Sequence, residues 1–175
     1  ELHHPIEYQN HIFDQLMKAG EEFGLKPYGI RAMNSLRVEK SYKLVGTELS
    51  IEYSPYESGL DRFVHPNKGD FIGRAALDKW RAKGFSNKLV TMEIHGVTDA
   101  DVLGNNPIYD NGSVVGRATS GDFGFRLKKS IALGMVKPEL AKVGQKLKID
   151  ILGKMHEASI VEESPYDSEN KLLRA

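Results

Sequence analysis

The stretch PIYDNGSVVGRA, residues 107–118, decides the fold of the second half of this chain. Two short runs rich in apolar and β-branched residues, 107–109 and 114–118, flank the tripeptide Asp110-Asn111-Gly112. An Asn-Gly pair readily takes the positive φ angles of a tight two-residue hairpin turn. The stretch therefore predicts two antiparallel strands joined by a hairpin.

Further strands are predicted on both sides of this hairpin. Apolar runs bounded by turn residues indicate strands at residues 88–94, 131–136, 146–152 and 156–162. Gly153-Lys154 is a second predicted tight turn. Short strands at such even spacing are typical of a small antiparallel barrel or sandwich.

The first half of the chain shows helical periodicity. Stripes of apolar residues at helical spacing predict helices over residues 5–24, 30–39 and 70–84. In the third of these helices, Asp70 is the predicted N-cap. The predicted inward residues of the second helix are Ile30, Met33 and Leu36.

One strand is also predicted in this half, because residues 48–53 alternate between apolar and polar side chains. From about residue 85 onward, short strand patterns replace helical ones. This change predicts an α+β fold with two domains, residues 1–84 and residues 85–175.

Composition argues against several classes of function. Lys and Arg together number 24, as do Asp and Glu, and this balance disfavours nucleic acid as a partner. The absence of cysteine excludes disulfides and thiol nucleophiles within this segment. No apolar run approaches the length of a membrane span, and the scattered histidines predict no metal site.

Some charged residues have both a structural and a functional interpretation. Arg37 and Glu39 could form ion pairs that tie the second helix to its neighbours. Alternatively, Arg37 could support an anionic ligand, because a guanidinium fork matches a carboxylate. Glu57 and Lys68 permit the same two interpretations, and spacing alone leaves both open.

Six short segments are more informative together than any of them is alone. They are GIRAMNSLRVEK (29–40), SPYESGL (54–60), DFIGRAAL (70–77), GRATSG (116–121), SIALG (130–134) and LGK (152–154). In this order and spacing they resemble the glycine-cleavage T-protein superfamily over nearly the whole chain. The closest likeness is to the C-terminal folate-binding region of its dimethylglycine and sarcosine dehydrogenase branch. Met33 favours that branch, since T-proteins have an arginine at this position.

The resemblance implies a fold and a cofactor. Residues 1–84 would be the rear part of a folate-binding α/β region, and residues 85–175 a small C-terminal antiparallel barrel-like domain. Tetrahydrofolate would be the cofactor and a methylated amine the donor, with FAD in an upstream domain if the parent is a dehydrogenase. Because the chain starts at Glu1 and not at methionine, we expect the remainder of the polypeptide upstream of it. The expected compartment is the cytoplasm, or the mitochondrial matrix in a eukaryote.

The resemblance also implies site residues. Glu1, followed by Leu2, aligns with a family glutamate that hydrogen-bonds the pterin, and a carboxylate suits the two-donor edge of that ring. Arg62 stands where T-proteins have a pterin-stacking aromatic residue, with Phe63 beside it. Either the guanidinium of Arg62 stacks, or Phe63 substitutes, or this wall differs. The family's aspartate near the folate N5 lies upstream, so no catalytic residue is predicted in this segment.

Three functions remain open on these grounds. The first is transfer of an aminomethyl or methyl unit involving tetrahydrofolate. The second is tetrahydrofolate-dependent demethylation of a methylated sulfur or aromatic compound. The third is a folate-binding module without catalysis. In each case we expect the segment alone to be inactive.

Overall fold

The computed structural model describes residues 1–97 and 99–175, which form two compact units, residues 1–33 and 34–175. The first unit contains α1 (Gln9–Gly20), flanked by 3-10 turns at Ile6–Tyr8 and Glu21–Phe23. Gly24 ends this helical stretch with a φ of +67°, a conformation that glycine adopts without strain. The predicted helix over residues 5–24 is confirmed.

Helix α2 (Ile30–Glu39) includes the junction between the units and has the predicted bounds. Its predicted inner face, however, is wrong. The exposed residues include Ile30, Met33 and Leu36, whereas the buried ones are Ser35, Val38 and Glu39. The reason is that the second half of the helix contacts the barrel through polar groups: the Ser35 hydroxyl donates to the Phe123 carbonyl at 2.6 Å.

Helix α3 (Arg74–Lys83) begins later than predicted. Its N-cap is Gly73, at a φ of +92°, and the Asp70 side chain accepts a hydrogen bond from the Phe71 amide outside the helix. The predicted N-cap is therefore wrong, whereas the predicted end at Gly84 is confirmed.

The predicted strand over residues 48–53 is also wrong, since these residues form turns. The cause is Glu48, whose buried carboxylate accepts the Leu44 amide at 2.8 Å and the Thr47 hydroxyl at 2.7 Å. Those two bonds fold the chain back on itself. Ile51, which the alternation placed in a strand, is fully exposed.

In the described part of the chain, six antiparallel strands form a closed barrel in the order β1-β4-β3-β2-β5-β6. The strands are β1 (Lys88–Ile94), β2 (Pro107–Asp110), β3 (Ser113–Gly124), β4 (Lys129–Val136), β5 (Lys146–Ile151) and β6 (Lys154–Val161). The α+β fold with a C-terminal antiparallel barrel is thus confirmed.

The two predicted hairpin turns differ in outcome. Asn111 and Gly112 have φ angles of +47° and +79°, as expected for the first turn. In the second turn the positive φ angles belong to Leu152 and Gly153, at +52° and +81°. The turn therefore lies one residue earlier than Gly153-Lys154.

The barrel interior is an apolar cluster to which every strand contributes. Its buried members are Val90, Met92, Ile94, Val102, Ile108, Ala118, Ala132, Val136, Leu147, Ile149, Ile151, Ala158 and Ile160. A Cβ on Gly134 would lie 2.8 Å from the end of Ile108 and 3.0 Å from the end of Met92. Glycine at this position of β4 therefore lets two large side chains meet in the core.

The predicted boundary near residue 85 lies between α3 and β1. The compact units divide elsewhere, at residues 33 and 34, and residues 34–84 belong to the same unit as the barrel. The division into domains 1–84 and 85–175 stays a prediction.

Candidate functional site

Arg62 and Phe63 lie together on a short 3-10 turn, Asp61–Phe63, and both are exposed. The guanidinium carbon of Arg62 is 4.8 Å from the centroid of the Phe63 ring, and 64% of Phe63 is exposed. An exposed phenyl ring beside a guanidinium plane can stack a flat heterocycle, through offset stacking or a cation–π contact.

The segment SPYESGL that precedes this turn is fixed by one buried carboxylate. Glu57 accepts hydrogen bonds from the amide and hydroxyl of Ser54, both at 3.0 Å, and from the Asn87 amide at 3.1 Å. Its carbonyl accepts the Leu89 amide of β1 at 2.8 Å. Glu57 therefore links the segment before the turn to the first strand of the barrel.

These hydrogen bonds also set the charge of Glu57. Burial raises the pKa of the carboxyl group, but the bonds from Ser54 and from the amides at residues 86 and 87 outweigh it, so that the pKa lies below its ordinary value. Glu57 is thus an anion at neutral pH, and its carboxylate accepts every hydrogen bond named here.

Lys88 fixes the base of the turn from the barrel side. Its ammonium group donates to the Tyr56 carbonyl at 2.9 Å and lies 3.5 Å from the Asp61 carboxylate. The Leu60 amide in turn donates to the Pro55 carbonyl at 2.7 Å. Hydrogen bonds and an ion pair therefore fix the turn that carries Arg62 and Phe63.

Glu1 and Leu2, the other two predicted site residues, lie in the first unit and are both exposed. The Glu1 side chain is 90% exposed, and its carboxylate lies 3.3 Å from the imidazole of His3. The carboxylate thus retains acceptor capacity for a ligand. Glu1 and Leu2 thus lie in the first unit, and Arg62 and Phe63 lie in the second.

Arg37 is engaged entirely with protein groups. Its guanidinium donates to the Asn34 side chain at 2.9 Å, the Tyr42 carbonyl at 3.1 Å and the Ser120 hydroxyl at 2.8 Å. It also lies 3.7 Å from the Glu48 carboxylate. Of the two interpretations of Arg37, the structure supports the structural one, with Glu48 and not Glu39 as the acidic partner.

Glu48 and Glu39 complete this polar contact with the barrel. Glu48 accepts the Ser120 hydroxyl of β3, and Glu39 accepts the amides of Arg126 and Leu127, at 2.8 and 3.0 Å, in the turn between β3 and β4. Burial raises the pKa of Glu48, yet hydrogen bonds led by that from Ser120 lower it below its ordinary value. Both carboxylates thus fix residues 34–84, the region that carries Arg62 and Phe63, against the barrel.

A polar cleft of about 240 Å³ lies beside Arg117 and was not predicted from the sequence. The guanidinium donates to the Tyr53 hydroxyl at 2.6 and 2.9 Å and pairs with Glu52. The hydroxyl of Tyr53 is the main reason that the pKa of Arg117 lies above its ordinary value. No signal in the sequence connects Tyr53 with Arg117, which lie 64 positions apart. The carboxylate of Glu52 neutralises the charge of the Arg117 guanidinium.

Among residues 1–97 and 99–175, no group of three or more His, Cys, Asp or Glu side chains could hold a metal ion. Nor does the same part of the chain contain a helix that is long and apolar enough to cross a membrane.

Two family models match the chain in sequence. The model of the GCVT N-terminal domain matches residues 1–68, and that of the glycine cleavage T-protein C-terminal barrel domain matches residues 87–167.

Curated relatives agree with these models. Human mitochondrial dimethylglycine dehydrogenase is 40% identical over 93% of this chain and 19% of its own length. An aminomethyltransferase of Synechocystis is 39% identical over 90% of this chain and 42% of its own length. The chain thus spans less than half the length of these relatives.

A solved structure shows the same fold. The aminomethyltransferase T of the glycine cleavage system from Bartonella henselae superposes with a TM-score of 0.80, over 94% of this chain and 45% of that protein, at 23% sequence identity.

Proposed function

Since this chain belongs to the glycine cleavage T-protein family, we propose that its intact protein transfers one-carbon units with tetrahydrofolate and that this chain supplies part of the folate site. The observation that carries the folate site is the exposed Arg62–Phe63 surface on its fixed turn. A pterin is flat and aromatic, so it fits a phenyl ring flanked by a guanidinium plane.

Glu1 and Leu2 have the second role in this proposal. The amino group and ring N–H of a pterin are donors, and an exposed carboxylate is a matching acceptor. Leu2 offers an apolar side chain next to it. The residues of this chain would bind and orient the pterin, and no residue here is proposed as a catalytic acid or base.

The donor, the further domains and the compartment belong to the same proposal. The identity to human mitochondrial dimethylglycine dehydrogenase supports a methylated amine as donor, an FAD domain upstream of Glu1 and the mitochondrial matrix as compartment in a eukaryote. The alternative is a parent similar to the aminomethyltransferase of Synechocystis, for which we propose the cytoplasm.

Calorimetric titration of the full-length protein with tetrahydrofolate tests the folate site. We expect saturable binding that Phe63→Ala weakens about tenfold, because a lost stacking contact is worth about 1.4 kcal/mol. Arg62→Lys and Glu1→Gln should each weaken it by a smaller factor. Phe23→Ala, which removes another exposed ring, is the matched control.

Two results would overturn this part of the proposal: absence of binding heat, or equal affinity in the Phe63→Ala and Phe23→Ala variants. Products then separate the functions. Formation of methylenetetrahydrofolate from dimethylglycine or sarcosine would support one-carbon transfer from a methylated amine. Formation of methyltetrahydrofolate from methoxyaromatics or methylated sulfur compounds would support a demethylase. Binding without turnover of any donor would indicate a folate-binding module.

A further inference from the structure

A cavity of about 440 Å³ lies at one end of the barrel, outside the surface assigned to folate. Strand register defines this end, because Ser130 of β4 pairs with Ile94 of β1 and with Phe123 of β3. The described wall residues are Val97, Asp99, Ala100 and Asp101 from the β1–β2 connection, and Phe123, Phe125 and Ser130 from the β3–β4 hairpin. The mouths of β-barrels are common ligand sites, and pockets for small molecules begin at about 300 Å³.

The wall formed by the β1–β2 connection is anchored on both sides of the cavity. On one side the His95 amide donates to the Glu157 carbonyl at 2.8 Å. On the other, Val102 is buried, and a Cβ on Gly121 would lie only 2.4 Å from its carbonyl oxygen. Only glycine permits so close an approach of the connection to β3, so the cavity wall is built into the fold.

Ser130 indicates that this cavity takes a polar group. Its residue is only 5% exposed, and its hydroxyl has no hydrogen-bond partner among the described residues. Buried hydroxyls are normally paired, because an unpaired one loses its hydration without compensation. A ligand carrying an N–H group would supply the partner that the hydroxyl needs.

The charge of the cavity wall indicates which class of ligand it binds. Among the described residues, the cavity wall contains the carboxylates of Asp99 and Asp101 and no Lys, Arg or His. Phe123 and Phe125 are packed edge to face, with centroids 5.1 Å apart, and 73% of Phe125 is exposed. Carboxylates and phenyl rings both favour a cation, and the rings also favour alkyl carbons around it.

We propose that this cavity binds a small alkylammonium ion. Its N–H groups would donate to the Ser130 hydroxyl and the Asp99 carboxylate, and its alkyl carbons would pack against Phe125. A divalent metal is the weaker candidate, because the described residues supply fewer than three metal-ligating side chains at any one place. This inference is independent of folate binding.

NMR titration of the full chain with n-propylammonium chloride, at constant ionic strength, tests the proposal. We expect saturable shifts that are confined to residues around the cavity, such as Ala100 and Phe125. The uncharged isostere 1-propanol should bind at least about tenfold more weakly, since it lacks the ion's attraction to carboxylates and rings. Calcium chloride serves as the metal probe.

Three variants locate the binding site. Asp99→Asn and Phe125→Ala should each weaken binding several-fold, and Glu162→Gln, also at an exposed carboxylate, should leave it unchanged. Ser130→Ala should weaken binding while leaving the folded chain at least as stable, because it removes an unpaired buried hydroxyl. That combination separates a ligand contact from a structural role.

Several outcomes would overturn the proposal. Shifts that grow linearly and spread over the whole surface indicate no site. Equal affinities for 1-propanol and n-propylammonium would show that the positive charge does not contribute to binding. Saturation by calcium without saturation by propylammonium assigns the cavity to a metal. Unchanged binding in both Asp99→Asn and Phe125→Ala places the ion elsewhere.

Discussion

The barrel and residues 34–84 form one compact unit, yet they are stabilised in different ways. The barrel encloses an apolar cluster to which all six strands contribute. Within residues 34–84 the buried apolar residues are Val38 and Tyr56 alone. The buried polar ones there are Ser35, Glu39, Ser41, Glu48, Ser54, Glu57 and Ser58. One region is thus held by apolar burial and the other by directed hydrogen bonds.

This difference determines how each region responds to change. Apolar burial is non-directional and scales with the area removed from water, so loss of a large side chain weakens the whole barrel. Buried carboxylates depend on particular donors at particular distances. The segment carrying Arg62 and Phe63 is attached through such carboxylates. Its position therefore depends on a few individual residues, such as Glu48 and Glu57.

The largest effect is expected from Ile108→Ala in the barrel. Ile108 is fully buried on β2 and pairs with both β3 and β5, where its loss opens a cavity in the core. We expect a loss of about 2–5 kcal/mol in the free energy of unfolding, measured by urea denaturation. Ile51→Ala, at a fully exposed isoleucine of the other region, should change it by less than about 0.5 kcal/mol.

The comparison fails if Ile108→Ala and Ile51→Ala have similar effects. It also fails if residues 34–84 unfold at the same urea concentration in Ile108→Ala as in the unmodified chain. Since Glu57 is bonded to Leu89 of β1 and Glu48 to Ser120 of β3, both regions should lose structure in one transition.

A somewhat smaller effect is expected from Glu48→Gln. The substitution keeps the size of the side chain but removes the charge beside Arg37, and it turns one acceptor into a donor that faces other donors. We expect a loss of about 2–3 kcal/mol in the free energy of unfolding, together with faster hydrogen exchange at the Leu44 amide.

The matched control is Glu163→Gln, which breaks the exposed pair with Lys43. Exposed pairs contribute less than about 1 kcal/mol, so this variant should remain close to the unmodified chain. Equal losses in the two variants would show that residues 34–84 do not depend on buried carboxylates.

Acid should lower the stability of the unit formed by residues 34–175 through its buried carboxylates, Glu48 and Glu57. The pKa values of Glu48 and Glu57 are lowered in the folded chain, so their contribution to stability is complete above the ordinary glutamate pKa of 4.5. It is lost as the pH falls through the folded values. Each unit of lowering corresponds to about 1.4 kcal/mol of stability.

Urea denaturation over a series of pH values from neutral to acid measures this loss. The double variant Glu48→Gln, Glu57→Gln should show a flatter dependence on pH than the unmodified chain. Ile108→Ala should be less stable at every pH but keep the original slope, because it changes no titrating group. Parallel profiles for all three proteins would contradict the assignment.

The same division explains what could be predicted from sequence. β1 has its predicted bounds, and the Asn111-Gly112 turn was predictable because local residue types determine both. The predicted strand at residues 48–53 fails because a buried glutamate turns the chain there. The predicted inner face of α2 fails because its contacts are polar and do not follow apolar periodicity.

The candidate site was predictable only through family resemblance. That resemblance named Arg62 and Phe63 but not the exposed 3-10 turn on which both lie. The cavity at Ser130 was not predictable, because its wall combines the β1–β2 connection with the β3–β4 hairpin. Their proximity depends on strand register, which no local pattern at these positions specifies.

The smallest expected effect is a gain in stability from Leu152→Asn. The first hairpin has Asn-Gly in its turn, whereas the second places Leu152 at a φ of +52°, where a leucine is strained and its side chain is exposed. Asparagine tolerates this conformation, so we expect a gain of about 0.5–1 kcal/mol. Leu103→Asn, at an exposed leucine outside the residues with positive φ, is the control and should give no gain. A gain confined to Leu152→Asn in urea denaturation would show that the barrel can be improved by local turn chemistry. An equal change in both variants would attribute the effect to surface polarity and not to the turn.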